Sequence, residues 1–306
     1  MKGVRSYKNG NYKVWIFADG TKIRRTEEDE FIPDFSENVD VKLTAKCGQG
    51  CQFCYEGCTK EGKHGELFKY ENFINSLHPY TEMALNGNDL DHPDLRRFLE
   101  FLKEKKVFAN ITVHQNQYMK GFEMLKEFQE EGLIQGIGVS LSSPTPEFIE
   151  KLLELKHTVL HTINGILKES DLDALKNKGV KLLILGYKNL QRGIKYKENN
   201  LEAIEANQKY LRDNLDEIFT WFKVCSFDNL ALEQLDVRSH LSEKDWESFY
   251  MGDDGGFTFY IDLVDGQFAR NSLSQERYAI GDKTIDEMFK IIRDHETDNQ
   301  TRSMGD

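Results

Sequence analysis

Hydrophobic and polar positions fall into two rhythms along the chain. Near the start, 12–17 and 21–25 are rich in aromatic and β-branched residues, and Asn9-Gly10 and Asp19-Gly20 mark tight turns. This pattern predicts a small N-terminal β-hairpin element. An acidic run at 26–30 and Pro33 come next, and a boundary falls near residue 37. From there, short apolar runs at 39–44, 82–85, 108–113, 136–141, 157–163 and 181–185 alternate with amphipathic segments at 69–77, 93–105, 118–131, 146–155 and 169–178. Pro93, Pro146 and Asp171 stand near plausible helix starts. Strands alternating with helices in this way predict a parallel sheet with right-handed crossovers. The span is short for a closed eight-unit barrel, so the expected fold class is α/β, a partial (βα)6-type parallel barrel. Its functional edge should lie at the strand C-terminal ends.

Beyond residue 195 the rhythm changes. A helix is expected at 199–214, a strand at 219–224, a helix at 242–250, a hairpin from 257–262 and 267–270 across Asp265-Gly266, and a last helix at 284–294. The final dozen residues are polar and are expected to fray. The chain thus divides into an N-terminal β-hairpin element at 1–37, a barrel at 38–225 and an α+β extension at 226–306.

Composition adds class and partners. With 306 residues, 39% hydrophobic and 30% charged, the chain can bury a substantial core. A net charge of -12 with no dense Lys/Arg run disfavours general nucleic-acid binding. The first residues are polar and no apolar run approaches a bilayer span, so a cytoplasmic protein without membrane association is expected.

The five cysteines are unevenly placed: Cys47, Cys51, Cys54 and Cys58 lie within twelve residues, and Cys225 stands alone. That is not a disulfide framework. Cys47, Cys51 and Cys54 have the spacing C-x3-C-x2-C directly after the first barrel strand, on a loop loosened by Gly48 and Gly50. Thiolates suit iron–sulfur clusters, and three of them on a four-iron cube leave one iron open. A zinc site that also used Cys58 and a set of free thiols are the alternatives, but zinc usually draws two separated pairs and no second pair follows. Cys58 reads as a bystander and Cys225 as a buried, inert thiol.

The spacing, with Phe53 before the third cysteine and Tyr55 after it, resembles the signature loop of the radical S-adenosylmethionine (SAM) superfamily. The resemblance covers the barrel region. It implies that Cys47, Cys51 and Cys54 ligate a [4Fe-4S] cluster whose fourth iron is chelated by the amino and carboxylate groups of SAM. Reductive cleavage, fed by an external electron donor such as flavodoxin or ferredoxin, would give methionine and a 5′-deoxyadenosyl radical that abstracts hydrogen from a substrate.

The same resemblance locates SAM contacts. Asn86, Gly87, Asn88 and Asp89 follow the second strand, where the family often carries Gly-Gly-Glu; only Gly87 matches, though Asn88 or Asp89 and backbone carbonyls can still accept from an ammonium group. Ser140 and Ser142 end the fourth strand, for ribose or carboxylate. Asn164 after the fifth strand, Tyr187 after the sixth and the backbone of Phe53 are expected near adenine and ribose. Ordinary polar turns are the alternative for these positions. His114, Gln115 and Asn116 after the third strand, and His161 on the fifth, are candidate substrate contacts, against a structural or solvated role.

At the C-terminus, the hairpin-plus-helix outline from 255 to 289 resembles a cysteine-less version of the extension found in peptide-modifying members, expected to cover the barrel mouth. Without cysteines it holds no auxiliary cluster. A peptide or protein substrate is the first expectation; a small molecule such as a nucleotide or amino acid, or a non-catalytic SAM- and iron–sulfur-binding regulator, is the alternative. Asp228 is a candidate for substrate binding or for a structural cap.

Overall fold

The computed structural model describes residues 3–86 and 89–303. At the N-terminus, β1 (Gly3–Asn9), β2 (Tyr12–Phe17) and β3 (Lys22–Arg25) form a three-stranded antiparallel sheet, one strand more than the expected hairpin. The Asn9-Gly10 turn joins β1 to β2: Gly10 has φ +55°, and a Cβ there would meet the Ile32 carbonyl oxygen at 1.7 Å. Only glycine fits that turn.

A ten-stranded sheet forms the body of the molecule. β4 (Asn38–Lys42), β5 (Glu82–Asn86), β6 (Phe108–His114), β7 (Gly136–Ser140), β8 (Thr158–Ile163), β9 (Lys181–Leu185) and β10 (Val224–Phe227) add one after another in sequence order, all parallel. A parallel sheet that grows in one direction through right-handed crossovers carries its helices on one face. The strand pattern agrees. Val39, Val41, Met83, Leu85, Ile111, Val113, Leu160 and Leu182 are buried in the main core together with Leu95, Phe98, Leu99 and Leu102 of helix Leu95–Glu104, which recur at helical spacing. The alternate positions, Asp40, Lys42, Asn86, Asn110, Thr112, His114, Ser140 and His161, fall on the opposite face. That inner face is polar where the outer face is oily. The architecture is α/β, a partial-barrel arrangement with a largely parallel sheet.

The sheet does not end at β4. β11 (Thr258–Asp262) pairs parallel with β4, and β12 (Gln267–Ala269) and β13 (Tyr278–Ala279) follow antiparallel. The expected C-terminal hairpin is therefore an extension of the barrel sheet itself, and Phe259, Ile261, Phe268, Met288 and Phe289 join the main core. The strand expected at 219–224 is instead the end of helix Leu215–Trp221, and the strand begins at Val224. Leu215, Ile218, Trp221 and Phe222 are all buried at three- to four-residue spacing, a helical period that the aromatic run masks in the sequence. The last helix runs Ile285–Ser303, past the expected end at 294.

The N-terminal sheet packs on the end of the barrel away from the cysteines. Tyr12, Val14 and Ile16 of β2 meet Tyr80 and Phe108, at the starts of β5 and β6, and Phe257 just before β11. Glu37, 1% exposed, is met there by Arg24 (2.7 Å), Lys22 (3.4 Å) and the Tyr12 hydroxyl (2.6 Å). Buried carboxylates persist when paired and hydrogen-bonded in this way. Among the described residues no helix is long and apolar enough to cross a membrane.

Candidate functional site

The cysteine loop leaves the C-terminal end of β4 and is closed at its base by backbone bonds. Gly65 N–H donates to Leu43 (2.8 Å), Ala45 to Lys63 (2.9 Å) and Cys47 to Thr59 (2.7 Å), so ligand spacing is set on a folded loop rather than a free one. Gly62 lies so close to this base that a Cβ would sit 2.0 Å from the Ala45 carbonyl oxygen. Cys47, Cys51 and Cys54 are half-buried, whereas Cys58 is buried with its thiol 4.0 Å from the Thr44 carbonyl oxygen. Burial raises the Cys47 and Cys51 thiols, and both feel Cys54 nearby. A hydrogen bond from Cys58 draws Cys54 down, and Cys58 is pushed up in exchange. Among the described residues no group of three or more His, Cys, Asp or Glu side chains gathers around one ion. A four-iron cube asks for a different arrangement, since each thiolate takes a different iron. Three half-buried cysteines on one glycine-bearing loop, within electrostatic reach of one another, supply thiolates of the kind such a cube takes.

One ion pair ties this loop to the sheet, and a second braces the lysine that makes it. Lys42 on β4 reaches Glu56, between the third and fourth cysteines, at 3.0 Å and Asp262 on β11 at 2.9 Å. Burial works against the Lys42 charge, but the two carboxylates outweigh it and hold the ammonium above its ordinary range. Asp262 also accepts from the Val264 and Asp265 N–H groups, fixing the turn after β11. His92, buried, bonds the Gly65 carbonyl (2.9 Å) and accepts from Asp94 N–H (3.1 Å). That links the loop base to the segment after β5.

The expected SAM positions divide. Asn86 ends β5 with its side chain on the inner face, and Gly87 and Asn88 lie outside the described residues; Asp89 opens a short 3-10 turn at Asp89–Asp91. Ser140 ends β7 on the inner face. Ser142 bonds His114 Nε2 at 2.9 Å, while His114 Nδ1 accepts from Asn116 N–H at 3.1 Å. Nδ1 therefore carries no proton, Nε2–H donates to Ser142, and the Ser142 hydroxyl keeps its own proton to give. Burial, which pulls His114 below its ordinary value, keeps this neutral form.

Other candidates are used structurally. Gln115 accepts from the Ser142 and Ser143 N–H groups (2.8 and 2.9 Å) and donates to the Ser143 carbonyl (2.7 Å), so it shapes the β7 loop. Asn116 donates to Gln49 in the cysteine loop at 3.1 Å. The Tyr187 hydroxyl donates to the Gly193 carbonyl (2.7 Å), and its backbone is held at both ends by Gln234. Asn164, fully buried, donates to the same Gln234 at 3.0 Å, and its Oδ1 has no partner among the described residues. Phe53 meets the Tyr196 ring edge-on at 5.6 Å. His161 lies over Gly138 on the inner face, and burial lowers it to about 4, leaving a neutral ring. Asp228 caps helix Asn229–Gln234 through Ala231 N–H and also accepts from Gly186 N–H, both at 2.8 Å. It is the structural cap. Cys225 is largely buried and its thiol is pushed up to about 12 by that burial.

Sequence reasoning missed Lys42, His92, Lys188 and Arg192. Lys188 donates to Ser272 (3.0 Å) and sits 4.1 Å from the Tyr55 ring centre; burial opposes its charge, but Tyr55, Asp228 and Asp40 outweigh that. Arg192 donates to the Cys51 and Cys58 carbonyls at 3.0 and 2.9 Å. A signal existed for Lys42 alone: polar residues at 40 and 42 alternate with valines just before the cysteines, marking an inner polar face.

No family model and no curated protein matches the sequence. The structure is similar to that of Streptococcus suis SuiB bound to S-adenosylmethionine, with a TM-score of 0.59 and 12% identity, covering 86% of this chain and 68% of that one. A second structure of SuiB gives a TM-score of 0.56 and 13% identity over 84% of this chain and 66% of that one. The chain spans about two thirds of the length of these proteins. At such identities the likeness is one of fold, and that fold is the partial α/β barrel shared with SuiB.

Proposed function

We propose that this chain is a radical SAM enzyme, with Cys47, Cys51 and Cys54 holding a [4Fe-4S] cluster. The observation that carries the reading is the position of the three neighbouring thiols: they stand at the C-terminal end of the first barrel strand, where βα folds place chemistry, beside a polar inner face. The likeness to a protein bound to S-adenosylmethionine supports it. When bound, cluster and SAM together supply reductive SAM cleavage and, through it, hydrogen-atom abstraction.

The chain's own residues would bind and orient. Asn86, with Gly87, Asn88 and Asp89, offers acceptors for the SAM amino group. Ser140 and the free Ser142 proton serve its ribose or carboxylate, and neutral His114 holds Ser142 in place. Asn164, fully buried, would back the adenine end of the site rather than face it. Tyr187 and Phe53 shape that end of the site through Gly193 and Tyr196. An external donor such as flavodoxin or ferredoxin would deliver the electron. A peptide or protein is the substrate class we propose, and a small molecule such as a nucleotide or amino acid would meet the same inner face.

Anaerobic reconstitution with iron and sulfide, followed by electron paramagnetic resonance of the reduced protein with and without SAM, tests the reading. A four-iron signal that SAM alters is expected. A signal indifferent to SAM would leave a cluster-binding protein of another kind, and tightly bound zinc in place of iron would overturn the assignment.

A further inference from the structure

Arg192 lies far along the chain from the cysteines, yet it grips both ends of the loop segment that carries two of the three proposed cluster ligands. Its Nε donates to the Cys51 carbonyl and its Nη1 to the Cys58 carbonyl, across 141 and 134 residues of sequence. A planar guanidinium is suited to such two-pronged reach. The turn that presents it is itself braced. Gln191 has φ 48° and ψ -122°, a backbone state that non-glycine residues hold only where surroundings fix it. Its side chain packs by Gly57, where a Cβ would lie 3.3 Å from Gln191 Oε1. On the other side, the Gly193 carbonyl receives the Tyr187 hydroxyl, and the Tyr196 ring closes on Phe53.

Among the described residues no carboxylate pairs with Arg192; its partners are neutral carbonyls, and further N–H groups remain unspent. A cation held on the backbone of the cysteine loop, in a chain of net charge -12, is placed for an anion that the protein does not itself supply.

Resting on the cluster reading above, we propose that Arg192 is the positioning residue of the cluster: it holds the 51–58 segment ready for ligation, and its unpaired charge stabilises the reduced, more negative cluster. Reduction adds one negative charge near the guanidinium, so loss of Arg192 lowers the midpoint potential.

The test compares wild type, Arg192→Met and Arg192→Lys. Iron and sulfide per chain, midpoint potential by spectroscopic titration, and amide hydrogen exchange of the cluster-free 47–58 loop are read for each. Arg192→Met is expected to exchange its loop amides about tenfold faster, to load less iron, and to shift the retained cluster to more negative potential. Arg192→Lys keeps a charge but loses the two-pronged grip, so it should recover most of the potential without recovering the loop protection. Wild-type exchange and wild-type potential in both variants would overturn the proposal. If Arg192→Met does not fold, Arg192→Lys decides alone: unchanged loop protection there overturns the proposal and lost protection supports it. A wild-type protein that takes up no iron would instead bring down the cluster reading and this proposal with it.

Discussion

Asp40 shows how the inner face of the sheet sets single-residue behaviour. Its carboxyl is surrounded by protein, with a 3.5 Å contact from Asn38 Nδ2, and burial raises it to about 6; Lys188 opposes that rise, and Asp254 and Asp228 add to it. An acid whose folded value lies above its unfolded value binds its proton more tightly when folded. Its favourable contribution is full below the unfolded value and is lost as pH climbs from about 4 through about 6. Asp40→Asn should therefore flatten the fall in stability between pH 5 and 7.5, with a relative gain on the order of 2 kcal/mol at the upper end, read by urea unfolding at both pH values. An unchanged pH profile would show that Asp40 does not titrate in this window. At this scale the gathering of three cysteines on the loop after β4 was legible because spacing along the chain is local information. The grips that hold it were not: Lys42, which takes Glu56 of the loop, is itself fixed by Asp262 across 220 residues, and Arg192 reaches Cys51 across 141. Gln115 meets a related limit, since a polar residue at a strand end looks the same whether it faces a substrate or ties down the next loop.

Elements were read well where the hydrophobic period was clean. The βα alternation from 39 to 185 appears as strands β4 to β9, because valine, leucine and isoleucine at every second position have one oily face to bury. The failure at 219–224 arose where aromatics crowd both periods, and burial of Leu215, Ile218 and Trp221 decides for a helix. One contact between elements is sharply testable. A Cβ on Gly138 of β7 would lie 2.3 Å from Cε1 of His161 on β8, and the imidazole cannot flex away as a long aliphatic chain can. Gly138→Ala should cost about 1–3 kcal/mol in chemical denaturation, and most of that cost should vanish when His161→Ala is added. Equal costs in both backgrounds would mean that the ring is not the obstacle.

At the scale of the molecule, the parallel pairing of β11 with β4 could not be read from the sequence, because a hairpin signal says nothing about the strand it joins. It makes the C-terminal region part of the barrel's core. Removing residues 257–306 would bare the edge of β4 and strip Phe259, Ile261, Phe268, Met288 and Phe289 from the hydrophobic interior. Such a truncated chain should aggregate on size-exclusion chromatography and lose cooperative unfolding; a soluble monomer that unfolds cooperatively would show the barrel to be independent of that region. With the N-terminal sheet packed at the other end, the molecule leaves its polar inner face and cysteine loop at the strand C-terminal ends. The most direct measurement is chromatography for 5′-deoxyadenosine after the reconstituted, anaerobic protein meets SAM and a strong reductant, run beside Cys51→Ala. Product from the wild type and none from a folded Cys51→Ala variant is the predicted result, and equal product from both would contradict the account.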